Sequence, residues 1–178
     1  MVSYSWYFLF NFFLYGFIGW IIEEVYCFIM KGHFQEDGFL YGPFKPMYAI
    51  AMSFLILVQD TFHLPHALLL IVCAIIPTMI EYLSGLLTRH VFHKEYWDYH
   101  QLKFNFQGLI CLQFSITWTL LTYIGIEYLQ PFIRIFYEKN FSTWFVITPF
   151  IIVAFIVDEY VTIRKHVIMN RMTTYQQK

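Results

Sequence analysis

Charge is what this sequence has least of. Only 13% of its 178 residues are Asp, Glu, Lys or Arg, whereas 59% are hydrophobic, and the mean hydropathy is +0.55. A soluble domain of this length can bury one core of ordinary size, so the shortage of charge excludes that class and calls for lipid as the solvent. The net charge of -1 excludes a global basic field, and with it a nucleic-acid partner. Cysteine is scarce as well. Cys27, Cys73 and Cys111 each sit in an apolar stretch without CxxC or Cys/His ligand spacing, and read as reduced packing residues rather than disulfides or zinc ligands. Walker A, HExxH and GxSxG patterns are all missing, so the chain has no P-loop of its own and no zinc-protease or serine-hydrolase signature. The first apolar run lacks the basic region and small-residue cleavage site of a signal peptide and is too long for one; it reads as a membrane span.

What is present is a series of apolar segments. Five can cross about 30 Å of hydrocarbon: residues 6–30, 46–58, 66–92, 109–130 and 143–167. The second is short for a span unless it borrows Tyr41 to Phe44 or tilts. Pro77 and Pro149 fall inside spans, where neighbouring helices can satisfy the freed carbonyls. The basic residues orient the set. Lys31, Lys45, Arg89, Lys94, Lys103, Arg164, Lys165, Arg171 and Lys178 fall on one side, and Arg134 and Lys139 on the other. Basic residues are retained in the cytoplasm, which places the N-terminus outside and the C-terminus inside. Trp6, Tyr7, Trp97 and Trp144 fall at expected interfaces, and Pro131 to Asn140 reads as a short interfacial helix. Without internal repeat, low-complexity tract or linker, residues 1–178 read as a single all-α membrane domain, a polytopic helical bundle.

Carboxylates inside such spans are costly unless paired, hydrated or protonated, and so are informative. Gly16, Gly19, Trp20, Glu23 and Cys27 recur at helical spacing on one face of the first span. Thr78, Glu81, Gly85 and Thr88 do the same in the third, so each acid is accompanied by small residues that admit a close neighbour. The loops on the basic side are rich in special residues. Gly38-Phe39-Leu40-Tyr41-Gly42-Pro43-Phe44 reads as a defined turn. Trp97, Asp98 and Tyr99, followed by Asn105 to Gly108, read as an aromatic loop folded back on the bundle. The expectation is a pocket formed by Trp20, Glu23, Tyr41, Glu81, Trp97, Asp98 and Asn105, shaped by Gly16, Gly19, Gly38, Gly42, Pro43, Pro46, Gly85 and Gly108. Hydrogen-bonded helix packing is the plainer role for the same acids. His90 and His93 have too loose a spacing for a metal site, and neither metal nor cofactor is expected. Asp158 and Glu159, balanced by Arg164 and Lys165, read as a hydrated helix end, and Glu127 as another. Glu23-Glu24 is followed by Val25, Tyr26, Cys27 and Phe28, without the arginine of intramembrane proteases that open on a double glutamate.

Taken together, Tyr15 to Trp20 with Glu23, Gly38 to Pro43 with Pro46 and Tyr48, Glu81 to Gly85, Trp97 to Tyr99, Asn105 to Gly108, Cys111-Leu112 and Phe114-Ser115 resemble the motifs of the family described as Putative ABC-transporter type IV. The resemblance runs from about Phe13 to Trp118, with the last span only loosely similar. Lys45 and Met47 depart from it, standing where smaller or more apolar residues are expected. The resemblance implies transport across a bacterial plasma membrane, with this chain as the membrane part. A separate ATPase subunit would then supply nucleotide chemistry, and a homodimer or partner subunit would complete a pathway that five short spans do not. The leading expectation is a small permease or substrate-binding transport subunit with a cytoplasm-facing acidic and aromatic cavity, its ligand an undefined small molecule or lipid. An intramembrane enzyme acting on a lipid or amphiphile through a buried carboxylate, and a structural or regulatory membrane subunit, remain open beside it.

Overall fold

The computed structural model describes residues 4–35 and 38–176; Lys178 and the side chain of Arg171, both counted above among the basic residues, lie outside what is described. The chain is all-α apart from one small hairpin. Helix α1 covers Tyr4–Lys31, α2 Pro46–Phe62 and α3 His66–Val91. The antiparallel hairpin of β1 (Asn105–Phe106) and β2 (Ile110–Cys111) follows. Helix α4 (Leu112–Ile124) then passes through a π-helical turn (Gly125–Leu129) into α5 (Gln130–Lys139), and α6 covers Phe141–Gln176.

Among the described residues, α1, α3 and α6 as far as His166 are long and apolar enough to cross a membrane. The other two expected spans are shorter helices, α2 of 17 residues and α4 of 13. Pro46 occupies the first turn of α2, where its missing N–H costs nothing. That helix runs past the expected Val58 to Phe62, where His63 in the left-handed region closes it. The expected fourth span begins only at Leu112, because Ile110 and Cys111 are paired in the hairpin. The interfacial helix expected over 131–140 is not a separate piece: α5 continues the helical path of α4. Pro77 and Pro149 lie inside α3 and α6 as expected.

Lipid offers no hydrophobic drive for one apolar helix to leave it for another, so close backbone approach and hydrogen bonds decide the packing. Helix α1 packs chiefly on α2, and α3 on both α2 and α4. Tyr7, Phe10, Tyr15, Leu55, Leu69, Cys73, Ile126 and Tyr137 form the buried apolar cluster between them. The polar component is centred on Gln130, buried immediately after the π turn. Its Oε1 accepts from the Tyr15 hydroxyl at 2.5 Å, and its Nε2 donates to Asn11 Oδ1 at 2.7 Å and to the Tyr7 hydroxyl oxygen at 2.8 Å. Asn11 in turn donates to the Tyr7 carbonyl at 2.8 Å. One turn further along, Arg134 reaches the Tyr7 hydroxyl at 3.3 Å, stacks over that ring and forms an ion pair with Asp60. A π turn inserts one residue into the helical register, and here it precedes the side chain that joins α5 to α1.

Replacing Gln130 by Leu strands the buried Asn11 Oδ1 and the Tyr15 hydroxyl and leaves the Tyr7 hydroxyl with Arg134 alone. The substitution is expected to cost about 1–2 kcal/mol, read as a lowered Tm of the detergent-purified protein. An unchanged Tm would remove the network from the stability of the fold.

Candidate functional site

At the other end of the bundle, the loop before α2 lies directly on α1. A Cβ at Gly16 would stand 2.1 Å from the Phe44 ring, and one at Gly19 would stand 2.4 Å from that of Tyr48. Only hydrogen at these positions lets the loop settle, and the Lys45 amide then donates to the Gly16 carbonyl at 3.0 Å. The placement carries the Lys45 ammonium to Glu23, with which it forms an ion pair, while also donating to Gln35 Oε1 at 2.7 Å. Tyr48, from the first turn of α2, brings its phenol beside the Glu23 carboxylate. Lys45 is thus the counter-ion of the first acid.

Glu81 has no such cation. Its residue is 3% exposed, and Oε1 accepts from the Tyr99 hydroxyl at 2.9 Å. Burial and the neighbouring Glu81 push the Tyr99 phenol well above its ordinary range, so it stays a donor at physiological pH. Oε2 is buried and has no hydrogen-bond partner, and Trp118 Nε1, whose indole lies toward this carboxylate, closes no hydrogen bond either. Both residues line a cavity of about 40 Å³ between α2, α3 and α4, together with Tyr48, Met52, Pro77 and Thr122. Tyr48 meets Trp118 edge to face at 5.1 Å. A water needs about 10–15 Å³ by this measure, so the cavity takes water-sized guests and no metabolite.

The hairpin positions Tyr99. Trp97 lies against Gly85, where a Cβ would meet its ring at 3.2 Å and Leu109 at 2.7 Å, and its indole N–H donates to the Leu109 carbonyl at 2.8 Å. Gly108 takes φ +69 and faces His100 Nδ1 at 2.2 Å from where its Cβ would be, so no larger residue fits. Asn105 donates to the Leu102 carbonyl at 2.7 Å and accepts from the Gly108 amide at 3.2 Å. Asp98 accepts from the His100 amide at 2.8 Å and pairs with His100 Nδ1 at 2.5 Å. The ring of Tyr99 stacks on Phe114 at 4.8 Å.

The structure therefore joins Glu23 and Glu81 through Tyr48, and brings Trp97 to the Glu81 helix through Gly85. Asp98 and Asn105 are placed within the hairpin, away from the cavity lining. Trp20 stacks on Phe17 along α1 at 5.8 Å. Tyr41 is 63% exposed and points to α6. Its amide and that of Gly42 donate to the two oxygens of Asp158, at 3.2 and 2.9 Å. Asp158, expected above to be a hydrated helix end, is instead the anchor of the Gly38 to Pro43 turn on α6. Phe39 reinforces the join, stacking on the His166 ring at 5.8 Å beside Phe92 and Tyr96. Sequence reasoning also passed over Tyr48, Tyr99 and Trp118 as site residues. The first two lie within motifs already singled out; Trp118 carries no signal beyond being a tryptophan in an apolar segment.

The His100 amide and ring hold the Asp98 carboxyl below the usual carboxylate range. A depressed folded value means that its contribution to stability is present above the unfolded value and is lost as pH falls through the folded one. The protection of amides in residues 97–111 against exchange, taken relative to their intrinsic rates at each pH, is expected to fall on acidification below about pH 4, and Asp98→Asn should remove that acid dependence. Equal acid dependence in the two proteins would assign it to another group.

The family model described as Putative ABC-transporter type IV matches residues 10–163. The match covers both acids, the hairpin and the Asp158 anchor, and extends beyond Trp118 into α6. No curated protein and no solved structure matches the chain.

Proposed function

The chain belongs to that family and is an integral membrane protein related to ABC transporters; on that premise we propose that it is the membrane subunit of a transport assembly, with Glu81, Tyr48, Trp118 and Glu23 as its ligand-binding site. In this reading the chain crosses the membrane five times and the site opens to the cytoplasmic end, where Lys45 and the hairpin lie. ATP hydrolysis belongs to a separate subunit, since the sequence has no P-loop, and a second copy or partner completes the path.

One observation carries the reading. Glu81 Oε2 is buried, unpartnered and on a cavity wall, although a carboxylate in hydrocarbon costs several kcal/mol unless paired, hydrated or protonated. Packing alone does not call for this. The Gln130 network of the same protein shows the packing solution, in which both polar atoms of the amide find partners. A half-satisfied group is expensive to keep, and supplying its missing partner is what a ligand does. A carboxylate sharing a cavity with the Tyr48 and Trp118 rings favours a small cationic or strongly hydrogen-bonding group. A substrate bearing such a group on a larger body needs α2 to separate from α3 and α4.

The test is ligand-induced thermal stabilisation with a panel of monovalent cations, alkylammonium compounds and amine metabolites. A ligand at one hundred times its Kd stabilises by about 2.7 kcal/mol. Wild type is expected to shift with at least one compound; Glu81→Gln should unfold near the wild-type Tm and lose the shift. The Gln130→Leu variant, although less stable, should retain it. A shift that survives in Glu81→Gln, or a silent panel with Glu81→Leu more stable than wild type, would leave Glu81 as a packing residue.

A further inference from the structure

Apart from the polar site, α6 is the helix least covered by its own protein. Only 6% of its most apolar stretch is buried, against 22% in α1 and in α3. Where the Gly38 to Pro43 turn meets it, Tyr41, Ala154, Val157, Asp158 and Val161 line a shallow groove that is open along its length. Ala154, Val157 and Val161 follow helical spacing, so the groove runs along the helix axis with its smallest side chain at the far end from the turn. Arg164 and Lys165 continue the same face by one turn, and so stand at the mouth of the groove. Lys165 is held with its ammonium 4.8 Å from the centre of the Tyr41 ring. Arg164 is exposed, with no hydrogen bond or ion pair among the described residues.

We propose that this groove binds one anionic phospholipid, its acyl chain lying along Ala154, Val157 and Val161 and its phosphate held by Arg164 at the mouth. The apolar lining suits a chain and excludes a free phosphate ion, whereas the basic end selects the headgroup. A guanidinium matches phosphate oxygens with two parallel N–H donors. Asp158 forms no ion pair with Arg164 among the described residues; its oxygens face the Tyr41 and Gly42 amides, and it sits nearly two turns along the helix from Arg164. The Lys165 charge beside the Tyr41 ring adds to the attraction that basic residues at a membrane surface exert on anionic lipid.

The experiment reads retained lipid. The full chain is reconstituted in nanodiscs of equimolar phosphatidylglycerol and phosphatidylcholine, released, and weighed by native mass spectrometry. Wild type is expected to keep one phosphatidylglycerol in preference to phosphatidylcholine. Arg164→Glu should lower that preference at least about fivefold, the factor expected for one basic residue at the membrane surface, without reducing the phosphatidylcholine carried. Ala154→Trp should fill the groove and lower retention of both lipids. Both substitutions fall on exposed positions, so Tm values near that of wild type are expected and serve as the folding control. An Arg164→Glu protein with unchanged preference overturns the proposal, and so does an Ala154→Trp protein that keeps its lipid. A wild-type dimer that carries no lipid and is dispersed by Ala154→Trp would assign the groove to a second copy instead. None of these outcomes depends on whether Glu81 binds a ligand.

Discussion

The seating of Phe44 and Tyr48 on Gly16 and Gly19 is the contact on which the rest of this end of the molecule depends. Lipid gives two apolar helices little reason to prefer each other, so a contact that brings ring against backbone supplies dispersion energy that a bulkier interface would forgo. Its consequences spread in three directions. Lys45, fixed by its amide to the Gly16 carbonyl, is delivered to Glu23. Tyr48 is placed between Glu23 and the Glu81 cavity. The turn that precedes them is held out toward α6, where Asp158 receives it. A side chain at either glycine would disturb all three at once, although none of the three lies on the glycine itself.

The two polar clusters of the protein differ in a way that residue type alone does not reveal. Around Gln130 the amide oxygen and nitrogen are both taken and tie α5 to α1, and Arg134 adds α2 through Asp60. Around Glu81 one oxygen is taken and the other faces a cavity. Satisfied networks rigidify, and incompletely satisfied ones carry a free-energy cost that has to be offset by something outside the resting structure. The closed network thus belongs to α5 and α1, and the carboxylate with an open oxygen to α3 beside the hairpin.

The helical faces were legible because a 3.6-residue period is written directly into spacing. Gly16, Gly19 and Glu23, or Glu81 and Gly85, share a face in any straight helix. The turn before α2 was legible from Gly38, Gly42 and Pro43. What spacing could not supply was the path between elements. Asp158 and Glu159 look alike as neighbouring acids near a helix end, and only the approach of the Tyr41 and Gly42 amides singles out the first. Asp98 and Asn105 are polar residues in an aromatic loop and seemed destined for the pocket. Positive φ at Phe104, Gln107 and Gly108 turns the chain into a hairpin that uses them itself and presents Tyr99 instead. The π turn escaped notice for a related reason: Gly125 to Leu129 carries no breaker that marks a change of helix type, and the register slip shows only once Gln130 is seen facing α1.

The size of the Glu81 cavity constrains how any transport reading can work. At about 40 Å³ it is a partly open cleft with room for little more than water, so admission of anything larger means moving one of its walls. Helix α3 is the poorest candidate to move, being packed on both sides by α2 and α4. Helix α2 is short and begins at the turn seated on the two glycines, and that turn is tied to α6 through Asp158 and Phe39. Movement of α2 away from Glu81 therefore pulls against α6, the helix with the least protein around it and the one freest to shift within lipid. The glycine seat, the Asp158 anchor and the loosely packed last helix thus lie in series.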